Sequence, residues 1–399
     1  MTAERGNRLL AAIDRWAGIP LTIPAAAWRK LTSPRPPETP AKIGIFCPGA
    51  VGDLLLLSAL TDALRKRFPE CELELLATRA NAGALPLNPH ADSCKSWPLH
   101  RPDRILGYIR KRNYDVFIDT SQWSRLGNLL ANLSGARITA GFATRGQFRS
   151  LGYDYVCRHN ASCHETENFL NLGRAIWPGL EGSPGLKMAL PEKGDKPEPV
   201  VYCHLWPAPG KGRIFKEWPR EHWAELIRAL LADGYEIRLT GGRDDRRACE
   251  EFRLRHFSAE CRVSSIAGQA DWQALAALFA RASAIVSVNT GTMHLAALTG
   301  SPTVGLHGAT NPARWGPVGK AAISLLPESG DCAYLNLGFE YPRHARPAMR
   351  SLKVGAVLAA LRKLGVAPRP QSAWPLQART SAAPFPKAFS QSSGKCSSR

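Results

Sequence analysis

The apolar positions along the chain fall into two series of alternating strand and helix pattern. Ile43 to Phe46 reads as a strand that enters Pro48-Gly49-Ala50-Val51-Gly52-Asp53, and a strongly apolar helix is predicted from Leu54 to about Phe68. Leu73 to Ala77 reads as the next strand, Ile105 to Arg112 as a helix and Val116 to Asp119 as a further strand. Strand, glycine turn, helix, strand is a βαβ unit. It implies a parallel sheet, because parallel strands need a long crossover between them. Pro- and Lys-rich residues 191–199 read as a linker. The pattern then restarts. Val200 to His204, Tyr235 to Thr240, Ala284 to Val288 and Pro302 to Leu306 read as strands. Arg220 to Asp233, Trp272 to Arg281 and Met293 to Thr299 read as helices between them, and Val354 to Leu364 as a last helix.

Two such series around one linker predict two doubly wound, Rossmann-like α/β domains, at residues 41–190 and 200–350, with a final helix in 351–366. Residues 1–40 form a basic lead in which Leu9, Leu10, Ile13 and Trp16 lie at helical spacing. Their short apolar face favours a helix packed on the first domain, with a membrane-touching interfacial helix as the alternative. Residues 367–399 carry no acid and are rich in Ser, Ala and Pro, so a disordered tail is expected.

Composition narrows the class. The 399 residues are 44% hydrophobic and 21% charged, ordinary for a soluble globular protein with room for two cores. The net charge of +19 points to a polyanionic partner: nucleic acid, an acidic membrane face or a phosphorylated substrate. Ten cysteines without a CxxC spacing read as reduced thiols. No stretch approaches the ~18 apolar residues of a membrane span, and Asp14 and Arg15 interrupt any leader-like segment, so a cytoplasmic protein is expected.

In open α/β sheets ligands bind beyond the carboxyl ends of the strands, so the loops after strands carry the chemistry. Gly49 to Asp53 is the first: its glycines allow a sharp turn, and Asp53 is placed either to accept a proton from an attacking hydroxyl or simply to cap a helix. Lys211, Arg213 and Lys216 form the second, a basic loop ahead of a helix that suits a diphosphate or is merely solvated. Gly241, Gly242 and Asp244 form the third, fitted to ribose hydroxyls or to a capped helix start. The fourth is Asn289-Thr290-Gly291-Thr292-Met293-His294, where backbone N–H groups and a helix start favour an anion, and where His294 is equally readable as a buried helix residue. No strand leads into GxGxxG, which disfavours a dehydrogenase, and no GK[ST] loop is present.

These segments, in this order, resemble glycosyltransferase family nine, the ADP-heptose–lipopolysaccharide heptosyltransferases. The resemblance is carried by GAVGDLLLLSALTDALRKRFP, KEWPREHWAELIRALLADGYEIRLTGG and IAGQADWQALAALFARASAIVSVNTGTMHLAALTGSPTVGLHGATNPARWGP, within residues 41–365. It implies a GT-B fold, with an acceptor domain and a nucleotide-sugar domain facing across a cleft and the last helix crossing back to the first domain. It also implies an inverting reaction that needs no metal or other cofactor. Residue by residue it implies Asp53 as base, Lys216 on the donor phosphates, Asp244 on the ribose beside Gly241 and Gly242, and Thr290, Gly291, Thr292 and His294 around the diphosphate. Asn289 stands where many members carry Asp, and is expected near the sugar.

The partners so expected are a nucleotide sugar, such as ADP-heptose, and an acidic glycolipid acceptor, with Gly52, Arg145 and Arg149 on the acceptor side. Contact with the inner face of the membrane is an open expectation; a monomer that does not bind nucleic acid is expected. Two rivals are a GT-B transferase using another nucleotide sugar for O-antigen or capsule, which Asn289 favours, and a non-catalytic nucleotide- or nucleic-acid-binding protein, which the charge favours.

Overall fold

In the computed structural model the alternation builds two six-stranded sheets. The structure describes residues 35–122, 124–144, 148–188, 197–208, 212–335, 341–342 and 344–369, with eight residues of the N-terminal segment between Asp14 and Arg29. The first sheet holds β1 (Lys42–Cys47), β2 (Glu72–Thr78), β3 (Ser93–Trp97), β4 (Val116–Asp119), β5 (Ile138–Ala143) and β6 (Tyr155–Arg158). Its spatial order is β3-β2-β1-β4-β5-β6, parallel throughout. The second holds β7 (Glu198–His204), β8 (Glu236–Thr240), β9 (Val263–Ser265), β10 (Ala282–Val288), β11 (Thr303–Leu306) and β12 (Ala322–Leu325), ordered β12-β11-β10-β7-β8-β9 and also parallel. Both are the doubly wound order, in which the direction of winding reverses beside the first strand and opens a crevice there. The reversal lies between β1 and β4 in one sheet and between β7 and β10 in the other. The loops after β1, β4, β7 and β10 therefore flank the two crevices.

The central strands β1 and β10 are covered on both faces, which is why they read as unbroken apolar runs. Strands β3, β5, β6, β9 and β12 were not legible in the sequence. Four of them, β3, β6, β9 and β12, are edge strands with polar or half-exposed positions, such as Ser93–Trp97 and the alternately exposed Tyr155–Arg158. The expected helix from Leu54 to Phe68 is two helices, Val51–Leu56 and Ser58–Arg67, and it begins three residues early. Asp53 thus lies in the first turn.

The last helix, Val354–Lys363, corrects the expectation that it crosses to the first domain. Its apolar stripe of Val354, Val357, Ala360 and Leu361 enters the core of the second domain. The following residues stay there: the Tyr235 hydroxyl donates to the Ala367 carbonyl, and the Arg369 amide to Asp233. The domains instead meet through one continuous apolar cluster, in which Ala84 and Leu85 of the first domain join Ala276, Phe279 and Leu295 of the second.

Of the expected 191–199 linker, residues 191–196 lie outside the described residues, as do Leu9, Leu10 and Ile13 and the tail from 370. Asp14 and Arg29 tie the N-terminal segment to the first domain. Asp14 accepts the amides of Arg125 and Leu126, and so serves as a cap supplied from outside to the helix Arg125–Leu133. Arg29 bonds Asp154 and the Ala136 and Arg137 carbonyls.

Candidate functional site

The helices Val51–Leu56 and Gly291–Leu298 meet at their N-terminal ends across the domain boundary. Glycine permits the approach from both sides. A Cβ on Gly52 would lie 2.7 Å from His294 Cδ2, and one on Gly291 would lie 2.9 Å from Val51 Cβ. The turn after β1 is thereby seated against the loop after β10. Gly52, expected beside an acceptor, is buried in this contact.

Asp53 is half-buried, one residue beyond that contact. Its Oδ2 accepts the Ala50 amide at 2.7 Å, the reach of an N3 carboxylate to the N-cap amide. The carboxylate folds so closely over the turn that a Cβ on Gly49 would fall 2.4 Å from Oδ2. Capping and a place at the cleft are thus held by the same side chain.

On the second domain three loops converge. Thr290 is the N-cap of Gly291–Leu298, so the helix starts two residues before the expected Met293 and His294 is its fourth residue. The amides of Gly291 and Thr292 belong to the first turn, where no carbonyl four residues back is available within the helix. The loop after β11 brings His307, and Lys216 follows the turn Arg213–Phe215. These two loops are joined where the Ala309 amide donates to the Phe215 carbonyl. Gly308 is required there, since a Cβ would lie 2.0 Å from that oxygen.

The convergence leaves polar atoms unsatisfied. Thr290 Oγ1, His294 Nδ1 and His307 Nε2 are buried and have no hydrogen-bond partner among the described residues. Buried polar atoms are almost always paired, so a cluster of orphans at strand ends marks a place where a polar ligand completes the network. Burial, with His164 and His307 nearby, pushes His294 down to about 3; burial and the charge of Lys216 push His307 down to about 3 as well. Both rings are neutral at physiological pH and serve as hydrogen-bonding groups, while Lys216 supplies positive charge.

The same burial has a stability consequence. Each histidine ionises near 6.5 when unfolded and near 3 when folded, so its contribution is complete above 6.5 and is lost as pH falls towards 3. Each should cost about 2 kcal/mol of stability at about pH 5. Chemical denaturation across that range should show the loss, and a His307→Gln variant should be spared about 2 kcal/mol of it at about pH 5.

A second polar network closes the boundary further along. Arg314 Nε bonds Glu165 Oε2 at 2.8 Å, and its Nη2 reaches Gln122 and, at 3.0 Å, His159 Nε2; Gln122 also bonds Glu165. Both charged side chains are fully buried. Burial pushes the Glu165 carboxyl up, but the charge and hydrogen bond of Arg314 outweigh it and hold the group below its usual range. His164 crosses the same boundary. Its Nδ1 accepts the Thr166 amide, so Nε2 carries the proton and donates to the Gly316 carbonyl at 3.0 Å. Asn289, expected at the sugar, donates its side-chain N–H to the Trp315 carbonyl at 2.9 Å, a bond no carboxylate at this position could make.

Other expected residues are placed differently. Arg149 is no surface contact for an acceptor. It is fully buried, pairs with Asp119 and bonds Ser121 and Tyr153, so its charge is consumed inside the first domain. Arg145 and Lys211 lie outside the described residues. After β8, Gly242 donates to Asp245, which caps the next helix turn, while Asp244 is exposed at the strand end. His307 escaped the sequence reading although it follows a strand, the signal used for the other loops. His164, Glu165 and Arg314 carried no local signal.

Among the described residues no three His, Cys, Asp or Glu side chains are grouped as metal ligands, and no helix is long and apolar enough to cross a membrane. The description "Glycosyltransferase family 9 (heptosyltransferase)" matches residues 104–333. Lipooligosaccharide heptosyltransferase 2 of Haemophilus ducreyi is 36% identical over 312 residues, covering 71% of this chain and 88% of that protein. A solved structure of E. coli ADP-heptose lipopolysaccharide heptosyltransferase II has the same fold, with a TM-score of 0.65 at 20% identity over 81% of this chain and 98% of that one. So does an E. coli heptosyltransferase bound to ADP, with a TM-score of 0.64 at 22% identity over 81% and 99%. On the family match, the chain belongs to glycosyltransferase family 9, the heptosyltransferases, and is a glycosyltransferase.

Proposed function

We propose that the protein transfers a heptose from ADP-heptose to an acidic lipopolysaccharide-core acceptor, with inversion and without a metal. The observation that supports this reading is the seating of the Gly49–Asp53 turn against Thr290–His294, where Gly52 meets His294 and Asp53 is the next residue along the chain. The acceptor hydroxyl oxygen attacks the anomeric carbon, and Asp53 takes its proton. The bond from that carbon to the phosphate oxygen breaks, and its electron pair leaves with the nucleoside diphosphate. Lys216, the Gly291 and Thr292 amides and the neutral His294 and His307 meet the charge that develops on the leaving group. Asp244, beyond Gly241 and Gly242, takes the ribose in this reading.

A panel of nucleotide-diphosphate sugars, assayed by transfer to a delipidated core oligosaccharide, tests the donor. Turnover confined to a hexose or N-acetylhexosamine donor would replace heptose in this reading. Lys216→Ala should weaken ADP binding about tenfold to a hundredfold, the worth of one charge-assisted contact. Calorimetry with ADP reads this directly, and an unchanged affinity would remove Lys216 from the donor site.

A further inference from the structure

Eight large apolar side chains stand exposed among the described residues, and six of them, Trp16, Ile23, Leu133, Phe148, Leu151 and Val156, belong to the N-terminal segment and to the stretch from the helix Arg125–Leu133 to β6, at one edge of the first sheet. That edge is β6, the outermost strand beside β5. The elements carrying these residues are tied together. Asp14 fixes the N-terminal segment to the start of the helix Arg125–Leu133, and Arg29 fixes it to Ala136, Arg137 and Asp154 beyond that helix's end, so Trp16 and Ile23 lie on the span between. Asn128 of the same helix donates to the Arg149 carbonyl, which holds the turn Arg149–Gly152 and its Leu151 against it.

Phe148 is the most informative member. It adopts a left-handed backbone, with φ of 56°, and is 62% exposed. A bulky residue pays a strain cost in that region and is kept there only when its surroundings impose it. They do so here, because the next residue is Arg149, buried whole on Asp119. The fold holds an aromatic ring in solvent.

The charge around this edge has one sign. From Thr120 to His164 the sequence contains a single acid, Asp154, and Arg29 neutralises it. Asp14 is likewise paired, with Arg125. Arg137 and Arg158 are exposed, and Arg158 leaves the same face of β6 as Val156. An apolar patch with unopposed cations suits an anionic, partly apolar surface. A second copy of this chain, also at +19, does not.

We propose that this edge docks on an anionic lipid bilayer, with Trp16, Ile23, Phe148 and Leu151 entering the interfacial region and Arg137 and Arg158 meeting headgroup phosphates. Beyond the end of β6, His159 joins the network across the cleft, so a docked bilayer would lie beside the entrance to the site.

Co-sedimentation of the full chain with vesicles of phosphatidylcholine, with or without phosphatidylglycerol, tests this without any sugar transfer. Binding should require phosphatidylglycerol and weaken with salt. The Ile23→Ala/Phe148→Ala double variant should bind at least about tenfold more weakly, and Arg137→Ala and Arg158→Ala roughly fivefold each. Thermal midpoint, ADP affinity and transfer to a delipidated acceptor should be unchanged in the double variant, which separates loss of docking from loss of catalysis. Variants that bind these vesicles as the parent does would overturn the proposal. So would a patch whose mutation dissociates a dimer by light scattering.

Discussion

Asp53→Ala should lower turnover by about a hundredfold to ten-thousandfold, the range for removing a positioned general base, and leave ADP affinity within a few-fold of the parent. The separation of effects follows from the placement. Asp53 belongs to the first domain, while Lys216, Thr290 and His307 belong to the second. The carboxylate also accepts the Ala50 amide, so its removal costs the helix Val51–Leu56 a cap, worth about 1 kcal/mol. Asp53→Asn is the sharper variant: its amide oxygen can keep the bond to Ala50, yet it cannot take a proton. If Asp53→Asn turned over like the parent, the carboxylate would be a cap alone. Equal losses of ADP affinity and turnover would instead mean that the turn shapes the donor site.

Arg314→Ala should destabilise the folded protein by about 3–5 kcal/mol, the cost of leaving a buried partner charge uncompensated. Arg314 and Glu165 are both fully buried, and each comes from a different domain. Removing the guanidinium strands the Glu165 carboxylate and takes a partner from Gln122 and His159. Arg314→Lys should recover little, because a single ammonium cannot span Glu165 and Gln122 as a planar fork does. Arg314→Met combined with Glu165→Gln removes both charges and should recover most of the stability, although the domain contact becomes less polar. Denaturant midpoints of the four proteins check this. An Arg314→Ala midpoint equal to the parent's would show that the network opens to water and contributes nothing. Because Asn289 also bonds Trp315, loosening this segment should disturb the loop after β10 as well. ADP binding by Arg314→Ala should accordingly weaken, and less than in Lys216→Ala.

Much of the fold was readable because its signals are local. The apolar run Ile43–Phe46, the glycine turn behind it and the helix periodicity that follows depend on residues within a few positions of one another. They return in the structure as β1, Val51–Leu56 and Ser58–Arg67. β4 was read to the residue for the same reason. β6 was missed because an edge strand covered on one side needs no continuous apolar run. Of the residues that the structure gathers at the domain boundary, those in the loops after β1 and β10 carry a local signal, a glycine turn behind an apolar strand. Arg149 was misread because an arginine in a basic stretch gives no local sign that a tyrosine, a serine and the aspartate at the end of β4 enclose it.

By itself, then, the sequence determined two α/β domains and named the turn at 49–53 and the loop at 289–294 as ligand-facing. Periodicity, glycine turns and strand ends are properties of neighbouring residues. Only the tertiary structure decided that Gly52 meets His294, that Arg314 closes on Glu165 from 149 positions away, and that the last helix stays on the second domain. Those outcomes depend on how two separately wound sheets bring their switch points together. A buried charge or a close glycine contact is specified by its distant partner and not by the residues beside it in the chain.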